Sequence, residues 1–284
     1  MSVYDIFFVF GKPGSYVLDC PKRCIKHNIP SDLSARLSQH QGTQILSLAL
    51  DCNDNCFFVV KNQDGRRNWY ISAGAQRAYP SLQEFINKSK TAGRDITSFR
   101  ATFGTQGNDY IAANSSTGAW RTWNASARLN GQMQNFAAKN VRAMAMGMNG
   151  AYVILYTDAT FYYACSNNYP TLSKLLENTM RGELVFVAMN PYRRDEYFVV
   201  LANSQVHIKA SAVLERHVET VLADYPSLEV ITSTVVKRNT EVSSTSGLPP
   251  QARRKEFLRA IGASVGNGIV GAGISAIFGA CTVM

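Results

Sequence analysis

Residues 141–164, VRAMAMGMNGAYVILYTDATFYYA, contain three short segments separated by two turns. In the first segment the side chains alternate with a period of two residues, as they do in a half-buried strand. The second is apolar throughout, as expected for a strand covered on both faces, and the third is rich in aromatic residues. Turn-forming residues lie between them, with Asn149 and Gly150 in the first turn and Asp158 in the second. The stretch therefore predicts three antiparallel strands, followed by a helix that starts at Thr171.

The same order of segments recurs at intervals of about 45 residues. The alternating first strands begin at Ile45, Thr97, Val141, Leu184 and Glu229. Each of the first four is followed by an apolar strand, an aromatic strand and a short helix, and Ser81 with Glu84 is expected to form a capping box at one helix start. Several short strands in each unit of this length are typical of a β-propeller.

In this interpretation the chain begins part-way through a unit. Residues 5–10 match the second strand, residues 15–19 match the third, and residues 31–40 match the helix. The segment 229–235 is a first strand with nothing after it. Joining the two ends predicts a blade shared between the termini, which closes the ring and removes exposed sheet edges.

The expected fold is therefore all-β with short helices. It is a five-bladed β-propeller of β-β-β-α units over residues 1–238, closed by the N- and C-terminal strands. The alternative is an open β-α repeat array, which does not explain why the two incomplete ends complement each other.

Short pieces of these units resemble a group of fungal repeat proteins of the propeller type. Those units carry a Y-x-V strand pair, an aromatic strand and a P-S-L helix start. The matching pieces are Tyr152 to Asp158, Tyr197 to Val200, Pro80-Ser81-Leu82 and Pro170-Thr171-Leu172. The resemblance covers residues 5–236 and implies the fold without implying an activity. The WD and Gly-His dipeptides of WD40 repeats are absent from residues 5–236.

The composition changes after Arg238. Residues 239–252 are rich in Ser, Thr and Pro and predict a flexible linker. Residues 253–284 form a tail with a basic start and a long uncharged, Gly-rich run. Its basic residues are Arg253, Arg254, Lys255 and Arg259. The last four residues, Cys281-Thr282-Val283-Met284, match the C-a-a-X prenylation pattern, in which a final Met favours a farnesyl group.

We expect Cys281 to carry a lipid that holds the chain on the cytoplasmic face of a membrane. A single prenyl chain binds a bilayer weakly, so the basic cluster supplies a second attraction to anionic lipid. Two alternatives stay open for residues 260–280. The segment is long enough for a transmembrane tail anchor, or it packs on the propeller or on a second copy through its glycines.

The cysteines predict thiols rather than disulfides, because residues 1–5 lack the basic region of a secretory signal. Two C-x₃-C pairs are present, formed by Cys20 with Cys24 and by Cys52 with Cys56. Four thiolates could bind zinc if the pairs approach each other, but structural zinc sites usually use other spacings. Free thiols are the default, and neither a metal nor a cofactor is expected.

Aromatic residues recur on the predicted third strands, among them Trp69, Trp120, Trp123 and Tyr163. Aromatic faces stack on sugar rings, so a carbohydrate-binding, lectin-like propeller is the alternative function. The other interpretation is that these side chains pack between blades.

A net charge of +9 on 284 residues favours a negatively charged partner. The basic residues are scattered and no nucleic-acid-binding module is recognisable, so anionic lipid is expected rather than nucleic acid. No P-loop, nucleophile elbow or kinase motif occurs. The sequence thus favours a non-enzymatic, membrane-tethered scaffold or adaptor for a protein partner, and leaves open an enzyme whose residues converge on a central channel.

Overall fold

Small β-sheets dominate the computed structural model, which describes residues 5–39, 44–123, 127–135 and 141–233. Four sheets have three antiparallel strands each, hydrogen-bonded in chain order. They are β1 (Phe7–Phe10), β2 (Tyr16–Cys20) and β3 (Arg23–His27); β4 (Gln44–Leu50), β5 (Cys56–Lys61) and β6 (Arg67–Ile71); β7 (Phe99–Phe103), β8 (Tyr110–Asn114) and β9 (Trp120–Trp123); and β10 (Val141–Met146), β11 (Tyr152–Tyr156) and β12 (Phe161–Ala164).

The fifth sheet has a fourth strand. It consists of β13 (Leu184–Met189), β14 (Tyr197–Leu201), β15 (Gln205–Lys209) and β16 (Glu229–Thr232). The helices between the strands are α1 (Ser31–Gln39), α2 (Ala73–Ala78), α3 (Pro80–Thr91), α4 (Ala127–Asn135), α5 (Pro170–Glu177) and α6 (Ala212–Leu222). The prediction of three-stranded units followed by short helices is confirmed.

The middle strands are the most buried elements. Every residue of β8, β11 and β14 is buried. These strands pair with a neighbour on each edge and are covered on both faces, which explains why their sequences are apolar throughout rather than alternating.

The predicted capping box at Ser81 is wrong. Helix α3 begins one residue earlier, with Tyr79 as its N-cap and Pro80 in its first turn. The Ser81 hydroxyl is hydrogen-bonded to the Tyr110 hydroxyl at 2.8 Å, and Glu84 forms an ion pair with Lys88. Proline at the first helical position sets the backbone for the helix without a side-chain cap.

The predicted assignment of the N-terminal unit is wrong by one strand. β1 is a first strand rather than a second one, and β2 is a second strand rather than a third. The true third strand is β3, which pairs with β2 from Tyr16↔His27 to Cys20↔Arg23. The sequence pattern hid β3 because its residues, RCIKH, are mostly polar and only partly buried or exposed.

Closure through a blade shared by the two termini is also wrong. β16 pairs in parallel with β15, from Gln205↔Glu229 to Ile208↔Thr232, and lies in the fifth sheet. The first sheet already has its own first strand, β1, so it offers no place for β16. The last strand instead covers the free edge of β15.

Among the described residues, five clusters of buried side chains each join two sheets and at least one helix. In one of them, Leu82 of α3 packs with Phe57 of the second sheet and Phe99 of the third. Another joins the first and fifth sheets, with Phe8, Phe198 and α6 in contact. The ring centroids of Phe8 and Phe198 are 4.6 Å apart. Side-chain packing, and no shared strand, therefore holds the first sheet against the last.

The first strands of the five sheets lie side by side. β1 is next to β4, β4 to β7, β7 to β10, and β10 to β13, and β13 also lies beside β1. The helices of the described part are too short or too polar to span a bilayer. The linker and tail, residues 239–284, lie outside the described residues.

Candidate ligand cavity

The first strands surround a cavity of about 200 Å³. In β1, β4, β10 and β13, side chains of both faces pack against the clusters on either side of the sheet, and the same strands border the cavity. Five large apolar residues border the cavity and stay partly exposed while they pack against these clusters: Phe7, Val9, Leu46, Met144 and Phe186. The cavity wall is therefore largely apolar.

Polar side chains line the cavity near the starts of these strands. They are Asp5, Gln44, Arg100 and Arg142, all partly exposed. Gln44 Nε2 donates a hydrogen bond to Asp5 Oδ1 at 3.2 Å, which places the starts of β1 and β4 side by side. The two arginines lie on the adjacent strands β7 and β10. This end of the cavity is consequently polar and carries both positive charges.

Arg100 lacks a charged partner within the part of the chain that the structure describes. Its Nη1 donates to the carbonyl of Phe99 at 2.9 Å, and no ion pair includes it there. Burial and the nearby positive charge of Arg67 lower the pKa of Arg100 to about 10, and Asp95 opposes this shift. The guanidinium still carries its charge at neutral pH.

The Asp95 carboxylate makes its hydrogen bonds to residues other than Arg100. Its carboxylate accepts hydrogen bonds from the Thr97 amide at 2.8 Å and from the Ser98 hydroxyl at 2.7 Å, and so caps the short helical turn before β7. These hydrogen bonds lower the pKa of Asp95 although its partial burial acts in the opposite direction. Asp95 therefore weakens the positive potential around Arg100 without neutralising it by contact.

Loop residues cover the other end of the cavity. The Thr105 hydroxyl, just after β7, donates to the carbonyl of Pro191, just after β13, at 2.9 Å. Pro191 lines the cavity. The adjacent Tyr192 lies beside Asp51 and Cys52 in the turn between β4 and β5, and burial raises the pKa of Tyr192. The loop after β13 thus reaches across this end, and the cavity is polar at one end and covered at the other.

Neither Arg100 nor Arg142 is among the site residues predicted from the sequence. They lie in the segments TSFRATF and VRAMAMG, each of which carries one arginine. A lone arginine on a half-buried strand usually points to solvent. Only the arrangement of the sheets brings both residues to one cavity.

The four aromatic candidates for sugar binding are not brought together. Trp69, Trp120 and Tyr163 are partly buried and pack against three different clusters. The Trp69 ring also lies 4.7 Å from Lys90 Nζ. Trp123, at the end of β9, is 44% exposed.

Trp69→Ala is expected to lower the free energy of unfolding by about 1–2 kcal/mol, because it removes partly buried ring area and a cation–π contact. Trp123→Ala, the matched control, is expected to change it by less than about 0.5 kcal/mol. Urea unfolding measures both. Strong glycan binding on an array that disappears in Trp69→Ala, with stability unchanged, would support the lectin alternative instead.

The structure does not gather the four candidate zinc ligands into one site. Cys20 lies in the cluster between the fifth and first sheets, Cys24 and Cys56 lie at the one between the first and second, and Cys52 is exposed. Burial raises the pKa of the Cys20, Cys24 and Cys56 thiols to about 12. In the described ranges, no three His, Cys, Asp or Glu side chains are placed to hold a metal ion.

The predicted lipid site and its basic cluster lie outside the described residues. These are Cys281, Arg253, Arg254, Lys255 and Arg259. Comparison with known proteins found no matching family model, curated protein or solved structure. The fold, the cavity and the tail sequence are therefore the basis for assigning a function.

Proposed function

We propose that residues 5–233 form a closed five-bladed β-propeller. The order of the first strands supports this fold, since β1 has both β4 and β13 as neighbours. The packing of Phe8 against Phe198 supports closure between the first and last sheets. Each blade is then one sheet, and the described cavity is the central channel of the ring.

The propeller is a non-enzymatic scaffold or adaptor that is held at the cytoplasmic face of a membrane. The observation that carries this function is the sequence of the tail, in which a basic cluster precedes Cys281-Thr282-Val283-Met284. In a chain that ends at Met284, this pattern is a substrate for farnesylation. The expected partner of the propeller is another protein, bound through the loops and helices at the surface of the ring.

Two weak attractions combine in this tether. One prenyl chain alone gives marginal, reversible membrane binding. Each Lys or Arg close to an anionic leaflet adds about 1 kcal/mol, and the cluster Arg253, Arg254, Lys255 and Arg259 supplies four such residues. The two contributions together suffice for stable attachment, and both are needed.

Cys281→Ser is expected to move the full-length protein from the membrane fraction to the soluble fraction. Cys52→Ser, which replaces an exposed cysteine of the propeller, is the matched control and is expected to stay in the membrane fraction. Intact-mass spectrometry of the wild type is expected to show a farnesyl adduct that is absent from Cys281→Ser.

Two results distinguish the alternatives. A Cys281→Ser protein that remains in the membrane pellet after alkaline carbonate extraction contradicts the lipid anchor and favours a transmembrane tail. Replacing Arg253, Arg254 and Lys255 with Gln is expected to weaken binding to anionic vesicles while leaving the farnesyl adduct intact. Equal binding of that variant to anionic and neutral vesicles confirms the role of the cluster.

A further inference from the structure

The size of the central cavity suits a small organic molecule. Its volume is about 200 Å³. An apolar cavity of about 150 Å³ in another protein is large enough for benzene. The space between the first strands therefore accommodates one six-membered ring together with a small polar group.

The polar end of the cavity suits an anionic group. Arg100 and Arg142 line it together with Asp5, so two cationic residues and one carboxylate border this end. Arg100 has no carboxylate partner among the described residues, and its neighbour Arg67 adds further positive potential. A planar guanidinium in this position matches a carboxylate, which it pairs with through two parallel hydrogen bonds.

The remaining wall suits an apolar body. The rings of Phe7 in β1 and Phe186 in β13 pack against each other with centroids 5.2 Å apart, and both residues line the cavity. Val9 and Met144 line the cavity beyond them, towards the end covered by Pro191. A molecule with its charged group at Arg100 would therefore bury its apolar part against these side chains, away from water.

We infer that the central cavity is a binding site for a small monocarboxylate with an apolar body, whose carboxylate pairs with Arg100. The apolar body lies against Phe186 and Met144. The loops after β7 and β13, joined by the hydrogen bond from Thr105 to Pro191, limit the length of this apolar body. This site lies within the described residues. It gives the propeller a small-molecule ligand in addition to its proposed scaffold role.

Three probes test the chemistry on the full-length wild-type protein. Phenylacetate has the charge and the ring, 2-phenylacetamide has the same shape without the charge, and acetate has the charge without the ring. Titration calorimetry and saturation-transfer NMR are expected to show phenylacetate binding, with the other two at least about tenfold weaker. Equal affinity for phenylacetate and 2-phenylacetamide, or no binding of phenylacetate up to roughly 10 mM, overturns the proposal.

Two variants locate the site. Arg100→Met is expected to weaken phenylacetate binding about tenfold and to leave 2-phenylacetamide unchanged. Its control is Arg66→Met, because the Arg66 side chain is 85% exposed on the turn before β6. Thr102→Phe, which fills the cavity without changing its charge, is expected to abolish binding of phenylacetate. Retained binding in Thr102→Phe, or an equal loss in Arg66→Met, places the ligand elsewhere and contradicts the proposal.

Thermal melting checks that each variant is folded. The comparison of the three probes on the wild-type protein needs no variant, so it decides the question even if Arg100→Met or Thr102→Phe fails to fold. Inorganic phosphate serves as a fourth probe. If phosphate binds as tightly as phenylacetate, the cavity is a general anion site. The apolar body is then not required, and the proposal is overturned.

Discussion

Gly147→Ala lowers the free energy of unfolding by about 3 kcal/mol, because the added methyl group collides with a ring that has no room to move. A Cβ at this position would lie 2.6 Å from three atoms of the Tyr169 side chain. Tyr169 is fully buried. The φ angle of Gly147 is −123°, which any residue adopts, so the loss comes from the collision and not from the backbone.

Hydrogen bonds fix the Tyr169 ring in place. Its hydroxyl accepts from the Met148 amide at 2.9 Å and donates to the Asn190 carbonyl at 2.5 Å. These partners follow β10 and β13, so the side chain joins the loops of two consecutive sheets. Displacing the ring would leave buried polar groups without partners, which costs more than the collision alone.

Gly107→Ala is the matched control for this substitution. Gly107 has a φ angle outside the left-handed region, and no heavy atom lies within 4 Å of the point that an added Cβ would occupy. We expect a change of less than about 0.5 kcal/mol. Urea unfolding of both variants gives the comparison. If Gly147→Ala and Gly107→Ala are equally stable, the Tyr169 ring is not fixed against Gly147 by its hydrogen bonds.

Asp19→Asn makes the stability of the protein less dependent on pH between about 4 and 7. The Asp19 side chain is buried in β2, where its Oδ2 accepts a hydrogen bond from the Ile45 amide of the second sheet at 2.9 Å. Burial raises the pKa of Asp19 from 3.8 to about 6, although the hydrogen bonds from Ile45 and the Cys24 thiol act to lower it. The protonated carboxyl is therefore favoured in the folded state.

The direction of the pH dependence follows from this shift. Between pH 3.8 and about 6 the folded protein holds the Asp19 proton and the unfolded chain has lost it. Stability therefore falls as the pH rises through this range, by about 3 kcal/mol in total, and the loss is complete above it. Asparagine keeps an oxygen acceptor for the Ile45 amide and carries no charge at any pH.

The measurement is urea unfolding of the wild type and Asp19→Asn at pH 4 and pH 7. We expect the variant to gain about 2 kcal/mol relative to the wild type on going from pH 4 to pH 7, because part of the total loss has already occurred at pH 4. Asp32→Asn, which changes an exposed carboxylate at the start of α1, controls for general effects of pH. A constant difference between Asp19→Asn and the wild type at both pH values would falsify the assignment of a buried, proton-binding Asp19.

Local sequence patterns predicted most strands correctly. Cys56–Lys61 forms the predicted second strand, and Val141–Met146 forms the predicted first strand. Alternation and turn residues act over a few neighbouring positions, so a single segment carries enough information. The same local reasoning failed at Arg23–His27, because its side chains do not alternate in polarity and the turn before it has only two residues.

The cavity could not be predicted in the same way. Arg100, Phe7 and Phe186 border one cavity only because five sheets place their first strands around it. The hydrogen bond that covers one end joins Thr105 to Pro191, which are 86 positions apart in the chain. No local pattern reports such a contact.

The sequence by itself determined the repeated unit and the buried middle strands, because both depend on residues close together in the chain, and it is the sole basis for the proposal about the tail. The tertiary structure decided which strand begins the first unit, how the first and last sheets meet, and which side chains line the centre. β16 pairs with β15 because β1 already occupies the first place in its sheet. Those outcomes depend on competition between distant segments for the same hydrogen-bonding edges and the same buried space.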